Sequence, residues 1–136
     1  MTDNSAKAGD RAQILVCEDN SALSAVICFN LIRAGFHVTA VPNGRLALAE
    51  LQKRDFDLIL SDQQMPLMTG IQLCEHVRQM PGYKNTPIIL LTAKCMEIDA
   101  ERLRKTLGIT QALPKPFSPT ELIQCIEEAL SAGCMN

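Results

Sequence analysis

The sequence alternates five times between a short apolar run and a longer segment whose apolar residues recur at helical spacing. Ile14-Leu15-Val16-Cys17, Leu58-Ile59-Leu60 and Ile88-Ile89-Leu90-Leu91 are unbroken apolar runs of strand length. Such runs lack the in-and-out alternation of a half-exposed strand, so they belong to strands covered on both faces. Strict strand–helix alternation implies a parallel sheet with helices on both sides, and right-handed crossovers then leave few topologies.

The punctuation between the runs supports this α/β reading. Residues 1–12 read as a polar tail. The first strand ends at Glu18-Asp19, and Asn20-Ser21 caps a helix over about Ala22 to Ala34 that Gly35 stops. Phe36 to Val41 is a second, shorter strand, and Asn43 caps a helix from Arg45 to about Arg54. The third run ends at Ser61-Asp62, with Met65-Pro66 at a turn. Thr69-Gly70 opens a helix from Ile71 to about Met80, which Pro81-Gly82 ends. The fourth run ends at Thr92-Ala93-Lys94, and a more polar helix spans about Ile98 to Leu107 before Gly108. Gln111-Ala112-Leu113 is a last short strand ahead of Pro114-Lys115-Pro116. Ser118-Pro119-Thr120-Glu121 is a capping box with proline at the first helical position, and it opens a helix from Pro119 to about Ala132. The expected layout is one domain over residues 13–132, with a flexible tail before it and a short tail, 133–136, after it.

Composition excludes several classes of function. The 136 residues carry a net charge of -2, with no basic run to hold a nucleic acid. No apolar stretch approaches the roughly 20 residues of a membrane span, and Met1 to Arg11 lack the apolar core of a signal peptide. A cytoplasmic protein without membrane attachment is expected. The six cysteines form no C-x-x-C pair and fall mostly inside apolar segments, where a thiol serves as a small hydrophobe.

The chemistry gathers at the strand ends. In an open parallel sheet, sites form beyond the carboxyl ends of the strands. Here those ends carry Glu18, Asp19, Asp62, Thr92 and Lys115. Each alone reads as a local cap or a solvated charge; three carboxylates, a hydroxyl and an amine on one edge form a constellation. Two like charges about 5 Å apart at an effective dielectric near 20 repel by roughly 3 kcal/mol, so the cluster calls for a cation or a proton. Hard oxygen donors without histidine or thiolate select magnesium or a similar divalent ion. The chain has no glycine-rich phosphate loop and no Ser/His/Asp arrangement. Phosphoryl transfer to a carboxylate fits, with Asp62 as nucleophile and Lys115 and Thr92 on the phosphoryl oxygens.

Four marks in this order, Glu18-Asp19, Asp62-x-x-Met65-Pro66 with Gly70, Thr92-Ala93 and Lys115-Pro116-Phe117, give the chain a resemblance to the receiver domain of two-component response regulators over about residues 12–132. The resemblance implies a flavodoxin-like, doubly wound sheet of five parallel strands in the order 2-1-3-4-5, with five helices. It implies that Asp62 accepts phosphate from a sensor histidine kinase or a phosphotransfer protein. Glu18, Asp19, Asp62 and the Gln64 backbone carbonyl would hold Mg2+ or Mn2+. Thr92 would swing onto the phosphoryl group, Lys115 would pair with it, and the small Ala93 would leave it room. It further implies a cis Lys115–Pro116 bond, transfer and hydrolysis catalysed by the domain on itself only, and output through a downstream protein.

Two features depart from the pattern. The family usually places an aromatic residue three positions before the site lysine; here that position is Ala112, and the one tyrosine, Tyr83, precedes the fourth strand. The first helix carries a stripe of Leu23, Val26, Ile27, Leu31 and Ala34 for the sheet, yet also Ala25, Cys28, Phe29 and Ile32 opposite it. A helix apolar all round is buried or has a partner. The expectation is a docking surface for the phosphodonor or a homodimer through this helix; the alternative folds Phe29 back against the final helix. Two other functions were weighed: a degenerate receiver used only for protein interaction, and a magnesium-dependent phosphohydrolase. The intact acidic cluster with Lys115 opposes the first, and Gln64, where the second aspartate of such hydrolases usually stands, opposes the second.

Overall fold

Three of the five strands are buried along their whole length or nearly so, as the unbroken apolar runs require. The computed structural model describes residues 12–93 and 99–134. The elements are β1 (Gln13–Cys17), α1 (Ser21–Arg33), β2 (His37–Val41), α2 (Gly44–Lys53), β3 (Leu58–Asp62), α3 (Gly70–Arg78), β4 (Ile88–Thr92), α4 (Ala100–Leu107), β5 (Gln111–Pro114) and α5 (Pro119–Cys134). All pairings are parallel, and the strand order is β2-β1-β3-β4-β5. This is the flavodoxin-like order.

Residues alternate strictly between two cores. Ile14, Val16, Leu58, Leu60, Ile89 and Leu91 face α1 and α5, meeting Ile27, Leu31, Leu122 and Ile126. Leu15, Cys17, Ile59, Ile88 and Leu90 face the other helices, meeting Ala47, Leu51, Leu73 and Val77. The period of two along a strand divides one apolar run between both faces of the sheet.

The topology positions the site. From β1 the chain crosses to β2 on one side and returns to β3 on the other, leaving a crevice at the carboxyl ends of β1 and β3. Cys17 pairs with Ser61 and Asp62 with Leu91, so Glu18 and Asp62 leave adjacent strands at nearly the same level.

Several details differ from the sequence reading. Ala12 is not tail: it is buried, and its carbonyl accepts from His37 N at 2.9 Å. The last helix runs through Gly133 to Cys134 rather than stopping at Ala132, because one glycine costs a helix only about 1 kcal/mol. The third helix stops at Arg78, short of Met80, and begins with a Thr69/Gln72 capping box that the sequence reading overlooked. In α1 only Ile27 and Leu31 are buried, with Leu23 half-buried. Val26 is 54% exposed, because it lies about 100° round the helix from Ile27, and Ala34 is an exposed cap. Lys94, Cys95 and the proposed helix start at Ile98 fall outside the described residues. The Lys115–Pro116 peptide is cis. Burial pushes the Cys17 and Cys74 thiols up to about 12 and Cys125 to about 11, so these cysteines serve as hydrophobes. None of the described helices is long and apolar enough to cross a membrane.

One residue of the loop after β3 is strained. Leu67 holds a φ of 73° and is 92% exposed. A left-handed conformation costs an L-residue roughly 1–2 kcal/mol, and no burial repays it here. Leu67→Gly is expected to raise stability by up to about 1 kcal/mol, since glycine's greater freedom in the unfolded chain cancels part of the gain. Urea unfolding of the two proteins checks this; a lower midpoint for the glycine variant contradicts it.

Candidate functional site

Glu18, Asp19 and Asp62 come together at the crevice, each offering a carboxylate oxygen within 4.8 Å of the others. Apolar runs deliver them: β1 and β3 are pinned by core packing up to Cys17 and Ser61, and the next residues emerge at the edge. Glu18 is 2% exposed and Asp62 4%, whereas Asp19 faces solvent. The Lys115 ammonium reaches over from the end of β5, 3.1 Å from Asp62 Oδ1 and 3.6 Å from Glu18 Oε1. Thr92 ends β4 and is buried, and Ala93 beside it is half-buried. The Lys115 N–H donates to Thr92 O at 2.7 Å, which ties the two strand ends together. All five residues picked from the strand ends thus lie on one edge of the sheet.

The electrostatics are unbalanced. Among the described residues three carboxylates face one ammonium, an excess that a single divalent cation cancels. Glu18 Oε2 accepts from Asn20 N at 3.1 Å, but the buried Glu18 Oε1 accepts no hydrogen bond. Lys115 at 3.6 Å lies beyond hydrogen-bonding range of that oxygen. An orphaned, buried carboxylate oxygen costs about 1–3 kcal/mol or more, and a metal ion at the crevice would satisfy it. The donor set is all hard oxygen, which fits Mg2+. Burial pushes the Glu18 carboxyl above its usual range, with Asp62 and Asp19 adding to the rise and Asn20 and Lys115 opposing it.

That shift has a sign. As pH rises past the ordinary glutamate value, the unfolded chain releases its proton first, while folded Glu18 still holds one. This group's contribution to stability is therefore full below the unfolded pKa and is lost as pH rises through the folded one. A divalent ion prefers the ionised form and reverses the trend. Mg2+ should stabilise the fold little in acid and increasingly towards neutral pH, by about 2.7 kcal/mol at a hundredfold excess over Kd. Thermal unfolding with Mg2+ and with EDTA across that range measures it; a gain independent of pH would remove Glu18 from the binding set.

The floor of the site was not legible in advance. Ser61 Oγ donates to Asp62 O at 2.9 Å, and the Cys17 thiol contacts Met65 Sδ at 3.4 Å beneath the acids. Gly70 lies so close to β3 that a Cβ there would meet Asp62 O at 2.6 Å and Leu90 Cδ2 at 2.8 Å. Gln63 ties the same junction, accepting from Ile71 N through its side chain at 2.8 Å and from Gly70 N through its carbonyl at 3.0 Å. Gly70 at a helix start was the one visible signal, and nothing local says that its Cα abuts Asp62. Gln64 is exposed, two residues beyond Asp62. Ala112 is half-buried on β5. Tyr83 is buried before β4, at the opposite edge from Thr92, and its hydroxyl donates to Arg54 O at 2.7 Å.

The residues of the outer face of α1 are mostly exposed. Phe29 is 59% exposed and Ile32 60%, Ala25 is exposed and Cys28 half-buried. Phe29 does not fold back on α5; the Arg33 guanidinium stacks over its ring at 5.6 Å instead.

Known proteins resemble this chain in sequence and fold. The sequence model described as the response regulator receiver domain matches residues 14–127. The phosphate regulon transcriptional regulatory protein PhoB of Rhizobium meliloti is 39% identical over 119 residues, covering 87% of this chain and 52% of that protein. The sensory transduction protein RegX3 of Mycolicibacterium smegmatis is 34% identical, covering 90% of this chain and 52% of its own length. The chain thus spans about half the length of these curated relatives. Among solved structures, the chemotaxis response regulator CheY4 of Vibrio cholerae superposes with a TM-score of 0.80 at 34% identity, over 88% of this chain and 98% of that one. The receiver domain of the sensor histidine kinase PA1611 from Pseudomonas aeruginosa, solved with magnesium in its active-site cleft, gives 0.79 at 30% identity, over 88% and 98%. The matched family model and these relatives show that the chain belongs to the response regulator receiver domain family of two-component signalling.

Proposed function

We propose that Asp62 is the phosphoacceptor of this domain and takes its phosphoryl group from a phosphohistidine on a sensor kinase or phosphotransfer protein. The observation that carries the reading is a buried Asp62 carboxylate with the Lys115 ammonium 3.1 Å away, beside a buried Glu18 oxygen that accepts no hydrogen bond from the described residues. Asp62 attacks phosphorus, the P–N bond breaks, and the imidazole nitrogen keeps the bonding pair. Lys115 meets charge on the phosphoryl oxygens, and the Thr92 hydroxyl donates to one of them. A Mg2+ or Mn2+ ion held by Glu18, Asp19, Asp62 and the Gln64 carbonyl supplies the remaining charge neutralisation. Ala93 keeps the phosphoryl side of the crevice open. Water later hydrolyses the acyl phosphate at the same place, so the domain turns over only its own modification.

The phosphoryl group carries about -1.5 to -2 charge in place of the carboxylate's single charge, sets its oxygens beside Thr92 and Lys115, and biases an existing equilibrium of the loops around them. With Ala112 on β5, the change is read through the β4–α4 connection and α4 by a downstream protein, without direct nucleic-acid contact by this domain. The cytoplasm suits its free thiols at Cys17, Cys28, Cys74 and Cys125.

The phosphodonor docks on α1, whose first turn follows Asp19 directly and whose outer face presents Ala25, Val26, Cys28, Phe29 and Ile32. Phe29→Asp is expected to slow transfer from a phosphohistidine protein by about tenfold or more while leaving phosphorylation by acetyl phosphate unchanged. A homodimer through α1 would instead show as a mass that halves in the variant. Unchanged transfer and mass in a folded variant remove α1 from both roles.

Incubation with acetyl phosphate and Mg2+, read by intact mass, tests the central claim. One phosphoryl group should be gained, and EDTA should prevent it. No adduct under trapping conditions would leave a domain that only binds proteins.

A further inference from the structure

At the far edge of the sheet from Asp62, one side chain ties three segments together. Arg78, the last residue of α3, donates from Nε to Leu107 O at 2.6 Å, from Nη1 to Tyr83 O at 2.8 Å and from Nη2 to Gly108 O at 3.0 Å. Leu107 ends α4, and Gly108 is its left-handed cap, with φ 67°. Two of the three bonds therefore hold the C-terminal end of α4. Its carbonyls would otherwise be open, as the last turn of any helix leaves them.

The rest of α4 is held weakly. Each of the other helices buries at least two side chains or glycines in a core, whereas among its described residues α4 offers only Leu103 and Leu107, both half-buried. Its remaining described side chains are exposed, including Glu101, Arg102, Arg104 and Lys105. The N-terminal end follows the segment leading from Thr92 to the cap residue Asp99. One end of α4 is thus connected to the phosphoryl site, and the other is fixed by charge-assisted hydrogen bonds to a guanidinium that α3 and the Tyr83 turn hold in place.

We infer that Arg78 is the pivot of α4: it fixes the C-terminal end, so that a change at Thr92 swings the N-terminal end and not the whole helix. This rests on the phosphorylation switch proposed above. Arg78 acts as a positioning residue, since it touches neither Asp62 nor the crevice. The motion is a hinge at a helix end, with the bonds at Gly108 and Ile109 kept.

Hydrogen exchange on the full chain, with and without beryllium fluoride and Mg2+ as a phosphoryl mimic, tests the pivot. The reporters at the fixed end are the Gly108, Ile109 and Thr110 amides, which donate to Arg104 O, Leu103 O and Ile88 O. In the wild type, exchange should change across residues 99–103 and stay within about twofold at 108–110. Arg78→Met keeps the apolar stem but removes the donors. It should raise exchange at 108–110 by about tenfold and make those amides respond to the mimic. Phosphorylation by acetyl phosphate should be unaltered, and Arg78→Lys should restore part of the protection. The pivot is overturned if the wild-type response reaches 108–110 undiminished, a result that needs no variant. It is also overturned if Arg78→Met loosens 108–110 while the response stays confined to 99–103, because Arg78 is then a staple without a part in the switch. A wild type that accepts phosphate but shows no response in α4 defeats the pivot alone; one that neither accepts phosphate nor responds defeats the switch as well.

Discussion

Asp62→Asn is expected to gain no phosphoryl group from acetyl phosphate and Mg2+, where the wild type should gain one. The amide oxygen is neutral and a poor nucleophile, so the rate should fall on the order of a thousandfold or more. The same change removes one of the three clustered carboxylates and the acid closest to Lys115. The stabilisation by Mg2+ should therefore shrink together with the chemistry. Intact mass reads the first effect and thermal unfolding with and without Mg2+ the second. An adduct that survives in Asp62→Asn would move the acceptor to another carboxylate, of which Asp19 is the exposed member.

Gly70→Ala should damage the site from behind. A methyl group at this position would press on the Asp62 carbonyl oxygen at 2.6 Å, on Leu90 Cδ2 at 2.8 Å and on Gln63 Cα at 3.0 Å. Two of those atoms are backbone and cannot rotate away, so α3 and β3 must separate. Overpacking of this kind costs about 1–3 kcal/mol. Moving a reacting carboxylate by about 1 Å can cost a factor of about 100 in rate. The expected result is a lower urea midpoint with an unchanged slope, and phosphorylation slowed by roughly 10- to 100-fold. The sign is diagnostic, because glycine to alanine in a helix ordinarily stabilises by up to about 1 kcal/mol. A more stable variant would show that the junction has room.

The two variants probe parts of the site that differ in how plainly the sequence displays them. Asp62 stands at the end of an apolar run, ahead of Met65-Pro66, and is conspicuous. Gly70 looks like any glycine at a helix start, and only its approach to β3 gives it weight. Val26 shows the same limit on a helix. Its apolar character fits the sheet-facing stripe, yet it lies exposed because Ile27 and Leu31, with Leu23, define the contact line. Phe29 could have folded against α5 or stood free, and helical spacing does not choose between them.

The sequence by itself determined the alternation of strands and helices, the parallel sheet and the residues at the strand ends. These follow from local pattern: an unbroken apolar run marks a buried strand, and the first polar residue after it marks the edge. The strand order came by resemblance to a family, since periodicity does not say which strands are neighbours. Only the tertiary structure decided that Lys115 reaches Asp62 at 3.1 Å and that one Glu18 oxygen accepts no hydrogen bond from the described residues. It alone brought Arg78 to the end of α4 and Gly70 against Asp62. Each of these is a distance between residues from separate elements, set by how two cores close on the sheet, and no stretch of chain encodes it alone.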